Sequence, residues 1–167
     1  MDSMTQNRRV VKTRMSTSRR SQKQGLDALL KAATDLHGHF GPFLTLGVRM
    51  GIVGLRELGA KEGDTQLHIT GMLKYAVPIS CMLDGIQTST KCTVGNKRLE
   101  WKESNELGAM FLLKNSTRRV EVKVNPTLVQ ELKRKLDKMP HSGEEVRQLA
   151  SEVASRPEKE LFSIIHK

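Results

Sequence analysis

The first segment of the chain that is rich in apolar residues has them at helical spacing. Residues 26–38 read LDALLKAATDLHG, and the apolar positions stand three or four residues apart: Leu26, Leu29, Leu30, Ala33 and Leu36. Gly38 is placed to end this helix, since glycine is the residue that most readily leaves the helical conformation. The pattern predicts a helix from about residue 26 to residue 37.

A second, more apolar helix is predicted from Pro42 to about Leu58. Pro42 suits the first helical position, where its missing N–H costs nothing, and Gly59 suits the position after the last turn. The apolar residues of this segment cannot all lie on one stripe, which predicts a central rather than a superficial helix. Its glycines, spaced by four and three, share a face and indicate that another backbone comes close there: Gly47, Gly51 and Gly54.

The middle of the chain changes to the two-residue period of strands. Strands are predicted over 65–73, within 91–103, over 109–115 and over 118–124, with a hairpin turn at 115–117. A short helix is predicted within 79–88, after Pro78. In 118–124 valines alternate with charged residues, so that one sheet face should meet water.

The C-terminal part returns to helical spacing. Asn125 is a suitable N-cap for a helix over 126–139, and a second helix is predicted over 143–156. We therefore expect an α+β fold, with an antiparallel sheet packed against helices that include the central glycine-containing one. The expected organisation is one domain over 25–167, with a helical C-terminal part over 126–167.

The charged residues are distributed unevenly between the N-terminal segment and the rest of the chain. The net charge is +10, and residues 1–24 carry seven Lys or Arg residues against one acidic residue. This segment is polar and predicted to be a disordered tail. A basic arm can neutralise nucleic-acid phosphates, yet the body has one Trp, one Tyr and no nucleic-acid-binding motif, so that function is the least favoured. With no apolar run long enough for a membrane span and no signal peptide, we expect a cytoplasmic protein.

Two short stretches hold the residues that could carry chemistry. HGHFGPFLTLG (37–47) contains His37 and His39, which could ligate a metal or move protons, or could only cap the first helix. CMLDGIQTSTKCT (81–93) contains Cys81, Asp84, Gln87 and Cys92. Thiolate and imidazole together suit zinc, nickel or iron, with carboxylate and amide groups orienting them; the alternative is two buried cysteines that act as small apolar residues.

Jointly, these stretches resemble the FmdE family, which is named after the E component of formylmethanofuran dehydrogenase. The blocks HGHFGPFLTLGVR and CMLDGIQTSTKCTVGNK follow that family's two motifs in order and spacing, and the resemblance covers about residues 25–125. Two positions depart from the family pattern: Gly41 stands where relatives often have a cysteine, and Lys91 where they have a glycine.

The resemblance implies a function as well as a fold. It implies a stand-alone, archaeal, methanogenesis-related protein with zinc, or nickel or iron, held by His37, His39, Cys81 and Cys92. Asp84 and Gln87 would serve in catalysis by orienting those groups. It also implies a homodimer with a molybdenum or tungsten enzyme as partner, and the alternative of a non-enzymatic accessory subunit. It does not give a substrate.

Overall fold

The computed structural model describes residues 22–140 and 143–167. Most of the predicted tail, residues 1–21, therefore lies outside the described residues, whereas residues 22–24 are helical. Six helices and five strands are described. The helices are α1 (22–37), α2 (Pro42–Leu58), α3 (Cys81–Thr90), α4 (Pro126–Leu136), α5 (Glu144–Ser155) and α6 (Glu158–Leu161). The strands are β1 (Leu67–Leu73), β2 (Leu99–Glu103), β3 (Gly108–Leu113), β4 (Arg119–Val124) and β5 (Phe162–His166).

The five strands form one open sheet in the order β2-β1-β3-β4-β5. The pairs β1–β3, β3–β4 and β4–β5 are antiparallel, whereas β1 and β2 are parallel, with Ile69 opposite Leu99. A parallel pair needs a crossover, and α3 lies in the connection between β1 and β2. The α+β class with a mostly antiparallel sheet is thus confirmed, and the parallel pair is the exception to the expected antiparallel sheet.

Helix α2 lies at the centre, as its composition predicted. One side packs on the sheet and α3, and another side meets α1 through a second apolar cluster that includes Leu30, Ala33, Leu44 and Val48. The prediction of a close backbone is confirmed at Gly47, where a Cβ would lie 2.0 Å from the carbonyl oxygen of Met82 in α3. At Gly51 and Gly54 the prediction is wrong, because the nearest neighbours are side chains, the hydroxyl of Ser89 and the ring of Phe111.

Arg49 ties α2 to the end of α5. Its guanidinium Nη1 donates to the main-chain carbonyl oxygens of Val153, Ala154 and Arg156, at 3.3, 3.1 and 2.5 Å. These carbonyls lie at the C-terminal end of the helix, where intrahelical partners run out and a positive charge is favoured. The half-buried arginine therefore caps α5 from the neighbouring helix.

The C-terminal part is not helical throughout. Asn125 caps α4 as predicted, accepting a hydrogen bond from the Thr127 N–H, but residues 162–166 form β5 against β4. The wholly helical part expected over 126–167 is therefore wrong at its end. A segment of five residues is too short for its hydrophobic pattern to distinguish a strand from a helix. It forms a strand because the main-chain N–H and C=O groups at the edge of β4 would otherwise have no partner in the sheet.

Among the described residues, no helix combines the length and the apolar character that a membrane crossing requires.

Candidate functional site

Two histidines meet at the junction of α1 and α2. His37 is the last helical residue of α1, and Gly38 follows with φ of +94°, in the left-handed region that glycine adopts without strain. This turn brings His39 back beside His37: the ring centroids are 4.6 Å apart and the ring planes are inclined by 44°. The spacing H-G-H therefore brings two imidazoles together.

Asp84 of α3 orients the first of these rings. Its Oδ2 lies 2.7 Å from His37 Nδ1, across 47 positions of sequence. A carboxylate oxygen accepts hydrogen bonds, so His37 Nδ1 is the donor in this pair and Nε2 is the ring nitrogen left for another partner. His37 Nε2 is buried and has no hydrogen-bond partner among the described residues. The hydrogen bond between His37 and Asp84 therefore holds the ring in place while its Nε2 stays available for another partner.

Both histidines and Cys81 line one cavity of about 420 Å³. Its other walls are mostly apolar and come from the start of α2, the segment before α3 and the region around the end of α4; they include Phe43, Val77, Pro78, Leu136 and Met139. Lys133 and Asp137 add one charge of each sign. A larger groove of about 1310 Å³ between α1 and α5 touches only His39 of the predicted site residues. The smaller cavity is therefore the candidate site.

The surroundings favour neutral side chains in this cavity. Burial, and then the neighbouring His37, lower the pKa of His39, so its imidazole is neutral at pH 7 and keeps a lone pair. Burial, and then the charge of Asp84, raise the pKa of the Cys81 thiol, which is therefore protonated at neutral pH. Cys81 is thus not an activated nucleophile as it stands, and a metal ion would have to displace its proton.

The two remaining predicted residues lie differently. Cys92 does not line the cavity: it is buried in the main core, where its Sγ lies 3.4 Å from the Leu67 carbonyl oxygen. Gln87 is partly buried, and its side chain has no hydrogen bond to the other site residues in the described part of the chain. Within residues 22–140 and 143–167, no three His, Cys, Asp or Glu side chains already converge as ligands of one metal ion. The structure brings together His37, His39, Cys81 and Asp84.

Sequence reasoning missed the far wall of the cavity. This wall comes from the last turn of α4 and the residues just after it, and none of them belongs to a motif that indicates chemistry: Lys133, Leu136, Asp137 and Met139. Val146 of α5 is likewise one apolar position of an amphipathic helix. No signal in the sequence could have assigned these residues to the site, because they reach it only through the packing of α4 and α5 beside α2.

The comparisons with known proteins agree with the two-block resemblance. The model of the family described as "FmdE, Molybdenum formylmethanofuran dehydrogenase operon" matches residues 36–163, which extends past the expected core of 25–125. A probable S-adenosyl-L-methionine-binding protein of Archaeoglobus fulgidus is 31% identical over 106 residues, 64% of this chain and 29% of that protein. The chain thus spans less than a third of that relative's length.

A solved structure shares the fold. It is a tungsten formylmethanofuran dehydrogenase FmdE-like protein from Syntrophus aciditrophicus, with a TM-score of 0.61 over 85% of this chain and 71% of that chain. The sequence identity is 16%, so this likeness speaks for the fold alone. Since the family match covers most of the chain, including both histidines and both cysteines, the protein belongs to the FmdE family.

Proposed function

We propose that this FmdE-like protein binds a transition-metal ion, zinc in the first place and nickel or iron as alternatives, in the 420 Å³ cavity. His37 and His39 would be its imidazole ligands and Cys81 its thiolate ligand. The observation that carries the proposal is His37 Nε2, a buried nitrogen without a partner whose ring is held from the other side by Asp84. A carboxylate on the outer nitrogen of a histidine is the arrangement that commonly supports a metal-ligating imidazole.

The donor types fit such an ion. Imidazole and thiolate suit zinc, nickel and iron, and neutral imidazole is the form that ligates. Because no three such side chains already converge among the described residues, the three proposed ligands would have to draw together as the ion binds. Cys92 does not line the cavity and is not a ligand in this proposal. The four metal ligands predicted from the sequence are thereby reduced to three.

The other residues have defined tasks around that ion. Asp84 keeps the His37 ring in one orientation and one tautomer. Phe43, Leu136 and Met139 give the cavity apolar walls beside the proposed ligands. A bound zinc ion would supply Lewis acidity. We place this chemistry in one-carbon metabolism, or in the metabolism that serves molybdopterin enzymes, because of the operon that names the family.

Metal analysis tests the proposal directly. Protein purified without chelators should retain close to one ion per chain by elemental analysis, and His37→Ala, His39→Ala or Cys81→Ala should lower zinc affinity by about tenfold or more each. His68→Ala and Cys92→Ala are matched controls, because neither residue lines the cavity. Absence of zinc binding in the wild type, or equal losses in the control variants, would overturn the proposal.

A second candidate, a non-enzymatic accessory subunit, has a different observation in its favour. Tyr75 and Trp101 stack at a centroid distance of 4.5 Å while 57% and 39% exposed, and the neighbouring Val77 is 81% exposed. Exposed aromatic residues are typical anchors of protein interfaces. The partner we propose is a molybdenum or tungsten formylmethanofuran dehydrogenase, in keeping with the family's operon.

Binding to the purified dehydrogenase tests this candidate. Tyr75→Ala and Trp101→Ala should each weaken capture by about tenfold or more, as expected for anchor residues. Ile165→Ala is the matched control, an exposed apolar residue on β5. No binding of the wild type would refute the candidate. Light scattering of the free protein would separately test the proposed homodimer.

A further inference from the structure

The lining of the candidate cavity offers a ligand almost no net charge. Among the described residues that line it, Lys133 and Asp137 are the only basic and acidic ones besides the two histidines. They stand four positions apart at the end of α4, both are exposed, and their charges have opposite signs. Polyphosphates are bound in proteins by several charged hydrogen-bond donors, which this lining does not supply.

Most of the remaining lining is apolar. It includes the buried Phe43 and Val146 and the partly buried Leu136 and Met139. Val77 also lines the cavity, although its side chain is 81% exposed. An exposed apolar side chain at the edge of a cavity gains free energy when an apolar ligand removes it from water. The lining therefore favours a ligand whose main body is apolar.

The polar groups of the lining come from one side. His37, His39 and Cys81 belong to the junction of α1 and α2 and to the start of α3, whereas Leu136 and Met139 belong to the end of α4 and the residues after it. His37 Nε2 is buried and has no hydrogen-bond partner among the described residues. A ligand with one polar group can direct that group to the histidines while its body contacts the α4 side.

We propose that the cavity binds a small organic molecule with an uncharged apolar body and one polar group, which faces His37 and His39. The volume of about 420 Å³ lies within the range of small-molecule sites, roughly 300–1,000 Å³. This inference rests on the proposed function, because it names the class of molecule that would lie beside the ion. Nucleotides and other polyphosphates do not belong to that class.

Straight-chain alcohols are suitable probes, because they differ only in the length of an apolar body. Their affinities are measured by competition with N-phenylnaphthylamine, a neutral dye whose fluorescence rises in apolar surroundings. From n-butanol to n-hexanol, each added methylene should raise the affinity about fourfold, as expected for a CH₂ group that leaves water. The six-carbon diol with a hydroxyl at each end should bind about tenfold more weakly than n-hexanol, because its second hydroxyl lies among apolar walls.

Three variants locate the binding. Leu136→Gln should weaken n-hexanol binding about tenfold, because it places an amide in the apolar wall. Ile165→Gln is the matched control and should bind like the wild type, since Ile165 is exposed on β5 and does not line the cavity. Trp101→Ala should also bind like the wild type, because the stacked pair of Tyr75 and Trp101 lies outside the lining.

The inference is overturned if the wild type binds neither dye nor alcohols, or if affinity does not rise with chain length. Equal losses in Leu136→Gln and Ile165→Gln, or a loss in Trp101→Ala alone, would overturn it as well. Zinc analysis of the same preparations keeps the proposed function distinct: alcohols bound without zinc would refute the ion and support the ligand class, whereas zinc without alcohols would refute this inference alone. The wild-type series decides the question even if Leu136→Gln does not fold.

Discussion

Replacing Gly47 by alanine should show how strongly the contact between α2 and α3 supports the protein. The added Cβ would lie 2.0 Å from the carbonyl oxygen and 2.8 Å from the carbonyl carbon of Met82, whereas ordinary contact begins near 3.4 Å. Both obstacles are main-chain atoms of a buried helix, so no side chain can turn aside. The two helices would have to separate.

The magnitude follows from two opposing effects. Separation by roughly 1 Å forfeits a quarter to a half of the dispersion attraction across the interface, and overpacking against backbone costs about 3–4 kcal/mol, at the upper end of the range for such substitutions. Alanine regains about 1 kcal/mol of helix propensity. The free energy of unfolding should therefore fall by about 2–3 kcal/mol, which for a chain of this size lowers Tm by roughly 5–10 °C.

Urea unfolding followed by circular dichroism measures this change. Gly25→Ala is the matched control, because Gly25 lies in α1 and a Cβ added there would have no neighbouring heavy atom within 4 Å. The same chemical change should there raise the free energy of unfolding by up to about 1 kcal/mol. If Gly47→Ala is as stable as the wild type, the close approach of α2 and α3 does not exist as described.

Three further predictions concern the α5 cap, acid stability and the cysteines. Arg49→Met should lower the free energy of unfolding by about 2 kcal/mol, because three carbonyls of the α5 end lose a charged donor; an unchanged urea midpoint would contradict this role. Arg156 above all holds the pKa of Glu131 at about 2, below the ordinary 4.5, so this stabilisation is complete above about pH 4.5 and is lost as the pH falls towards 2. Glu131→Gln should thus cost about 1 kcal/mol at pH 7 and only a small fraction of that near pH 2 in thermal unfolding, and a cost independent of pH would argue against the ion pair. Iodoacetamide should modify Cys81 about tenfold faster than Cys92, since only Cys81 lines a cavity, and mass spectrometry showing equal rates would count against that placement.

Local pattern was sufficient for most of the elements. The bounds Pro42 and Leu58 of α2 could be predicted because proline and glycine mark a helix start and end through their own backbone preferences. Asn125 acts as a cap through a hydrogen bond two residues away, which is equally local. Strand β4 follows from the alternation of valines with charged residues after a short turn, and strand β3 from the apolar run before that turn. These interactions span only a few residues, so the sequence displays them.

The site could be predicted only in part. The two blocks contain His37 and Asp84, but nothing local states that Oδ2 and Nδ1 approach to 2.7 Å, because that depends on how α1 and α3 each pack against α2. Spacing also did not distinguish Cys81, on the cavity wall, from Cys92, in the core beside Leu67.

The sequence by itself determined the α+β class, the central glycine-faced helix and the histidines and cysteines that could carry chemistry. The tertiary structure alone decided that β2 runs parallel to β1, that the last residues complete the sheet, and which candidate side chains share a cavity. The reason is physical: helix and turn preferences act within a few residues, whereas strand order and cavity walls arise from contacts between segments far apart in sequence, whose free energy depends on the whole packed core.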